Sequence, residues 1–214
     1  MSTQAPIGPY EAAAAPVTLT RQRILEAAAQ LFYRRGIRAV NVDTLAEQAG
    51  TTKVTLYRHF RSKDELIASC LRMLDDRFFS WFVQEVSRHS EKPAERLLAV
   101  FDVLTEWFER DSFRGCAFIN AAVELADPSH PAHEAVVAHK RRSRAYFREL
   151  AEAARLPDPA GVADQWMLLT EGAIVTALVE DDRTAARQGR QAAALLLSGA
   201  SVLPAHPPSG GDAS

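Results

Sequence analysis

Between positions 50 and 63 the chain carries Lys53, Arg58, Arg61 and Lys63 and no acid. Thr52, Thr55, Ser62 and the phenol of Tyr57 stand among them. Ammonium, guanidinium and hydroxyl groups are the donors that hold phosphate oxygens, so this stretch is equipped to grip a nucleic-acid backbone. A lysine at a helix N-terminus can also reach guanine O6 and N7. That makes Lys53, with Val54 beside it, the candidate reader of base edges. Other chemistry is poorly supported. His133 and His139 are six residues apart, roughly 600° of helix at 3.6 residues per turn, so they diverge and cannot share a metal ion with His130. Cys116 sits among apolar residues, where a thiol is usually inert. Neither Cys70 nor Cys116 belongs to a CxxC pair, which argues against a disulfide framework and for a reducing cytoplasm. The sequence has no P-loop, dinucleotide fingerprint, Ser–His–Asp set or metal-hydrolase spacing. No enzyme and no cofactor is expected.

Definite elements must hold the basic side chains in place. Asn41 is a good N-cap, and Leu45 and Ala49 share a face, which predicts a helix ending at Ala49. Gly50 follows where a left-handed residue is wanted. Thr52 caps a second helix whose inward contacts are Leu56 and Phe60. This is a helix-turn-helix with Lys53, Thr55, Tyr57, Arg58 and His59 mostly outside the core. Turn and charge leave two readings open: a DNA reader, or a helix pair that is structural only. Upstream, Thr20 can cap a helix over 21–35 with the stripe Ile24, Ala28, Leu31 and Phe32, ended by Gly36. Downstream, Ser62-x-x-Glu65 is a capping box and starts a long helix to about residue 87. Lys63 in its first turn opposes the helix dipole. Beside free backbone N–H groups, however, an ammonium makes a phosphate site.

Leu45-Ala46-x-x-Ala49-Gly50, Tyr57-Arg58-His59-Phe60 and Ser62-Lys63-Asp64-Glu65-Leu66 resemble the helix-turn-helix of the tetracycline-repressor (TetR) family, over roughly residues 20–70. The resemblance implies a DNA-binding transcription factor, with Thr55, Tyr57 and Lys63 on phosphates. Thr44, Thr52 and His59 complete the expected phosphate set. Thr51 departs from the aliphatic residue common in the family, and Val54 from Gly, Ala or Pro. Neither threatens the fold, and Val54 is expected to face the groove. The charge distribution agrees. The chain's net charge is −2, yet residues 19–68 hold nine Lys and Arg against five acids. A basic reader therefore sits on an acidic body.

The fold class expected for the 214 residues, 47% hydrophobic, is all-α with about nine helices. Residues 1–17 and 204–214 read as disordered tails, 18–78 as the DNA-binding domain and 79–203 as a helical effector-binding and dimerisation domain. Pro93 starts a fifth helix that ends near Arg110. A turn and short helix follow from Phe113, and their Gly-Cys-x-Phe resembles an element of some TetR-like regulators. Three more helices cover about 131–155, 160–180 and 183–200. The aromatic residues of this domain are mostly core, but helical regulators of this kind host an apolar pocket. Candidate lining residues are Phe78, Phe82, Phe101, Trp107, Phe118, Asn120 and Trp166, with Glu124, Gln165 and Glu171 as further polar candidates. Lys140-Arg141-Arg142-x-Arg144 reads as a solvated face. Small residues (Ala173, Ala177, Ala186, Gly189, Ala193) suit either a four-helix dimer interface or internal packing. No signal peptide and no uncharged 18-residue apolar run is seen, so no membrane is expected. The expected function is a ligand-responsive transcriptional regulator, a repressor in the cytoplasm. It would bind double-stranded DNA at a palindromic operator as a homodimer, and a small-molecule effector would release it by tilting the fourth helix. The alternative is a helical small-molecule-binding or interaction protein whose helix-turn-helix is structural.

Overall fold

A computed structural model describes residues 9–10 and 19–200, except the side chain of Ala200. Among the described residues are nine α-helices and no strand: α1 (Thr20–Arg35), α2 (Val42–Gln48), α3 (Lys53–His59), α4 (Lys63–His89), α5 (Pro93–Phe108), α6 (Ala117–Leu125), α7 (His133–Ala153), α8 (Pro159–Glu180) and α9 (Ala185–Ala200). The expected tails 1–17 and 204–214 lie outside the described residues, apart from Pro9 and Tyr10. Both of those are buried, which corrects the expectation of a free tail at that point.

The helix ends follow local chemistry. The Asn41 side chain accepts from Thr44 N–H, Thr52 from Thr55 N–H and Ser62 from Glu65 N–H. Gly50 takes the left-handed conformation at φ 59°, where a Cβ would be strained. Two expectations need correction. Thr20 does not cap α1: it is the helix's first residue, after Leu19. The capping box is half-made, because Glu65 Oε2 accepts from Arg61 N–H at 2.8 Å rather than from Ser62.

Ile24, Leu45, Leu56, Phe60 and Leu66 are fully enclosed between α1, α2, α3 and the start of α4. α4 is unbroken for 27 residues, roughly 40 Å at 1.5 Å per residue, and runs on into the larger helical bundle. Its Arg77 holds Glu26 of α1 through both guanidinium nitrogens, at 3.0 and 2.5 Å. Three more ties join the reader to α6 and to the turn before it. Tyr33 Oη donates to Gly115 O at 2.9 Å and accepts from Arg114 N–H at 2.9 Å. Glu124 Oε2 accepts from Arg38 N–H at 2.9 Å. The helix-turn-helix is thus anchored to the bundle through α4 and also through α6, which the sequence did not suggest.

Packing of α5, α8 and α9 decides where the small residues go. Ala173, Ala177, Ala186 and Ala193 are buried within the chain itself. A Cβ on Gly189 would come within 2.9 Å of Phe101. These residues therefore serve internal packing, the second of the two roles they suit. The outward stripe of α8 is different: Leu168, Val175 and Val179 are exposed, with Gly172 in open space between them. α8 is long and apolar enough to cross a membrane by length and composition. Its opposite face, with Trp166, Met167 and Ile174, is the core of this bundle.

Candidate nucleic-acid interface and effector cavity

The reader is built from the inside out. Leu56 and Phe60 are buried and pin α3 from behind, and Arg21 of α1 lies over the Phe60 ring at 4.9 Å. The turn spacing then leaves Lys53, Val54, Tyr57 and Arg58 outward, and Val54 is 71% exposed. A β-branched side chain held that far into solvent gains nothing from the fold, and an apolar contact with a thymine methyl is one use for it. Lys53 Nζ sits 3.2 Å from Asp43 Oδ2 in an exposed pair. Such a pair contributes about 0–1 kcal/mol, so DNA can recruit the lysine at little cost. Thr52 Oγ1 and Thr55 Oγ1 are 3.0 Å apart, while Thr44, Thr55 and His59 are half-buried.

Lys63 has a second employment. Its ammonium donates to Ile37 O at 2.7 Å and lies 5.9 Å from the centre of the Phe32 ring. Partial burial draws it below the ordinary lysine range, against the pull of Asp64 and Glu124. An ammonium has three donors, so a phosphate contact remains open to it while one donor fastens the α1–α2 loop to α4.

Within the bundle, a narrow cavity open to solvent on one side is bounded by Tyr10 and by α4, α5, α7 and α8. Phe78, Phe82 and Trp107 line it, as do Cys116, His139, Lys140 and Glu171. Its polar wall is a chain of charges. His139 Nδ1 lies 2.7 Å from Asp75 Oδ1, and Arg142 binds the other Asp75 oxygen at 2.8 Å. Lys140 Nζ is 3.9 Å from Cys116 Sγ and 2.9 Å from Glu171. The His139 ring stacks on Phe118 with centroids 3.6 Å apart.

Burial alone would raise the Cys116 thiol, but the Lys140 charge and the His139 contact outweigh it and hold it at about 6. Cys70 has burial as its leading cause and is pushed to about 12. Burial therefore sets the Cys70 thiol, whereas neighbouring charges dominate at Cys116, which is buried as expected. Burial likewise works against a charged His139, yet Asp75 and Cys116 raise it. Asp75 is lowered, burial notwithstanding, by its bonds to His139 and Arg142. Among the described residues no three His, Cys, Asp or Glu side chains converge on a point that could hold a metal.

Comparison with known proteins decides the family. Residues 24–70 match the model described as bacterial regulatory proteins, tetR family, and residues 93–193 match the tetracyclin repressor-like C-terminal domain. A tetR transcriptional regulator of Streptomyces avermitilis superposes with TM-score 0.77 and 32% identity, over 86% of this chain and 99% of that one. The chain belongs to the TetR family. The HTH-type transcriptional regulator YjdC of Escherichia coli is 28% identical over 75% of this chain and 84% of its own length. The HTH-type transcriptional repressor KstR2 of Mycobacterium tuberculosis is 33% identical over 53% of this chain and 56% of its own length. The TetR-family assignment makes this protein a helix-turn-helix transcriptional regulator.

The expected effector residues divide. Phe78, Phe82 and Trp107 line the cavity, and Phe118 stacks on its histidine. Phe101 and Trp166 pack against each other at 6.2 Å, with Trp166 Nε1 donating to Leu97 O; they are core. Asn120 donates to Arg114 O and shapes the turn before α6. It borders a separate cavity between α1, α4 and α6, as does Glu124. Gln165 is exposed, whereas Glu171 is a cavity residue. Sequence reasoning missed Asp75, His139 and Lys140 as one unit. Asp75 and His139 are 64 positions apart, and the signal available in sequence was a histidine on the apolar face of the seventh helix.

Two substitutions separate the roles within the TetR-type reader. Lys53→Ala is expected to lose about 1–3 kcal/mol of discrimination at one base pair. Lys63→Ala should weaken all DNA sequences alike and reduce the salt slope by about one. It should also lower the melting temperature, since its bond to Ile37 O goes too. Anisotropy titrations at several salt concentrations, on single-base operator variants, check both. Sequence-blind losses from both variants would remove Lys53 from the base-reading role.

Proposed function

We propose that this TetR-family regulator binds a partly palindromic operator as a homodimer, represses transcription there, and is released by a small-molecule effector bound among α4, α5, α7 and α8. The observation that carries the DNA-reading role is the outward face of α3: Lys53, Val54 and Tyr57 are presented to solvent by a helix pinned from behind. In this division of labour Lys53 and Val54 meet base edges, and Thr44, Thr52, Thr55, Tyr57, His59 and Lys63 hold phosphates. A seven-residue helix reads only a few base pairs, so two copies on two half-sites are needed for specificity. The exposed stripe Leu168, Gly172, Val175 and Val179 on α8 supplies a surface for the second copy. Repression is favoured by the similarity to KstR2, a named repressor. The domain division at 18–78 and 79–203 belongs to the same reading, as does a cytoplasmic site of action.

Release follows from the two anchors. A ligand that moves α6 pulls on Arg38 through Glu124 and on Tyr33 through Gly115. One that tilts α4 moves Lys63 and the loop it fastens. Either motion changes the spacing of the two α3 helices, and one half-site no longer fits. A gel shift against the DNA upstream of the chain's own gene tests the reading. Retention at nanomolar protein, lost on adding effector, is expected. Coupling is reciprocal, so operator DNA must weaken effector binding by the same factor; independent binding of the two overturns the release mechanism. No retention above that of an acidic control protein would favour the structural helix-turn-helix instead.

A further inference from the structure

Tyr10 lies ten positions ahead of α1, in a segment whose sequence gives no reason for burial. Its side chain is nevertheless only 4% exposed. The ring centroid is 4.9 Å from that of Tyr33, 5.7 Å from Trp107, 6.0 Å from Phe78 and 6.5 Å from Phe118. These are ordinary aromatic packing distances. Its hydroxyl donates to Cys116 Sγ at 3.9 Å, and the backbone N–H of Ala117, first residue of α6, faces the phenol oxygen. The reach is easy. Thr20 to Tyr33 is roughly 20 Å along α1, and ten extended residues span roughly 35 Å.

We propose that the seat of the Tyr10 ring, on the wall of this cavity, is a binding site for single-ring phenols, and that Tyr10 holds it when no phenol is present. The inference rests on reading the cavity as the effector site and names the class of effector. Four aromatic side chains surround one six-membered ring. Cys116 Sγ accepts a hydrogen bond, and Ala117 N–H supplies one. A phenol satisfies both with a single O–H.

The charges select against the alternatives. Burial pushes the Tyr10 phenol well above its usual range, with the charge of Cys116 adding to the effect, while Cys116 itself is held at about 6. The Tyr10 phenol is therefore the donor of the pair and Cys116 Sγ its acceptor. A hydrocarbon ring leaves the sulfur without this donor. An aromatic carboxylate, ionised at neutral pH, brings no donor and sets a negative charge beside an acceptor.

Tyr10 is tethered, so it competes at an effective concentration on the order of millimolar. A cavity free only one time in ten shows an affinity lowered about tenfold. Para-cresol, which is the tyrosine side chain capped by a hydrogen, is the probe, and toluene is its control. Calorimetric titration of the full-length chain should show Tyr10→Ala binding para-cresol about tenfold more tightly than wild type or Tyr10→Phe. Tyr10→Ala should prefer para-cresol to toluene, and a further Cys116→Ala should abolish that preference.

Equal affinity of wild type and Tyr10→Ala, or no binding to either, overturns the proposal. Equal binding of toluene and para-cresol by Tyr10→Ala overturns the phenol class. A second measurement uses the wild-type chain alone. Saturating para-cresol should speed chymotrypsin cleavage after Tyr10, and an unchanged rate counts against displacement. None of these readouts involves DNA. A chain that fails the gel shift yet passes them loses its regulatory reading and keeps its phenol site.

Discussion

Val179→Glu yields a monomer that binds operator DNA about 10²–10⁴-fold more weakly than the wild-type chain, the size of effect that lost avidity produces. Val179 is 75% exposed and Leu168 74% exposed, at either end of the outward stripe of α8. Leu195 and Leu196 of α9 are exposed as well. Gly172, between Leu168 and Val179 on α8, has nothing near the place of its missing Cβ. A partner helix can therefore approach the backbone closely there, as helix pairs in four-helix bundles do. A glutamate buried in such an interface is an unpaired charge in a desolvated setting, which is costly. Val179 is largely exposed within one chain, so unfolding of the monomer should change by less than about 0.5 kcal/mol. Sedimentation velocity reads the oligomeric state, and anisotropy on the operator reads affinity. A variant that stays dimeric with unchanged operator affinity moves the dimer surface elsewhere.

Asp75→Asn is expected to destabilise the chain by about 3 kcal/mol near neutral pH, at the low end for a broken buried ion pair. The low end applies because the Asp75 side chain keeps 16% exposure. What is left behind is His139, buried against Phe118 and Phe78 and next to Lys140, without the carboxylate that favours its charged form.

The pH window follows from the shift directions. Asp75 is lowered in the folded chain, so its contribution is present above the ordinary carboxylate value of 3.8 and is lost as pH falls through the folded value. His139 is raised, so its contribution is present below 6.5 and is lost as pH rises through the folded value. The gap between wild type and Asp75→Asn should therefore be widest between those limits and narrow on the alkaline side. Cys116 runs the other way. Lowered from 9.0 to about 6, it adds stability as pH climbs between those values and loses it as pH falls through the lower one. Urea unfolding at pH 5.5 and pH 9 checks the sign. A gap that widens towards pH 9 contradicts the pairing.

What was legible in the sequence was what neighbours in the chain decide. Asn41, Thr52 and Ser62 cap the helices they precede, because a side-chain oxygen three residues away reaches the free N–H whatever lies around it. Gly50 takes a conformation that local sterics reserve for it. The outward set Lys53, Val54 and Tyr57 followed from the period of α3 alone. The cavity was legible only in its aromatic part. Phe78, Phe82 and Trp107 carried an apolar signal that Phe101 and Trp166 carried equally. Which of them face empty space depends on how α5 meets α8 and α9, down to a missing Cβ at Gly189.

Of the charged wall only Glu171 was legible. Asp75, Cys116 and His139 come from α4, the start of α6 and α7, and a lone His on a helix face is uninformative until its partner is known. Thr20 shows the opposite error. A good capping residue was present, but the chain enters α1 one residue earlier. Tyr10 was hidden for a plainer reason: a Pro- and Ala-rich segment gives no periodicity, and a single aromatic residue in it has no pattern to belong to.

Hydroxyl-radical footprinting of the full-length chain on its own upstream DNA tests the central claim most directly. Two α3 helices docked from one dimer should protect two patches on one face of the duplex, with centres about one helical turn, 10–10.5 base pairs, or a multiple of it apart. The protection should disappear in Val179→Glu at the same protein concentration. A single patch that survives Val179→Glu, or uniform protection at every position, would contradict a paired reader and leave α3 without the role assigned to it here.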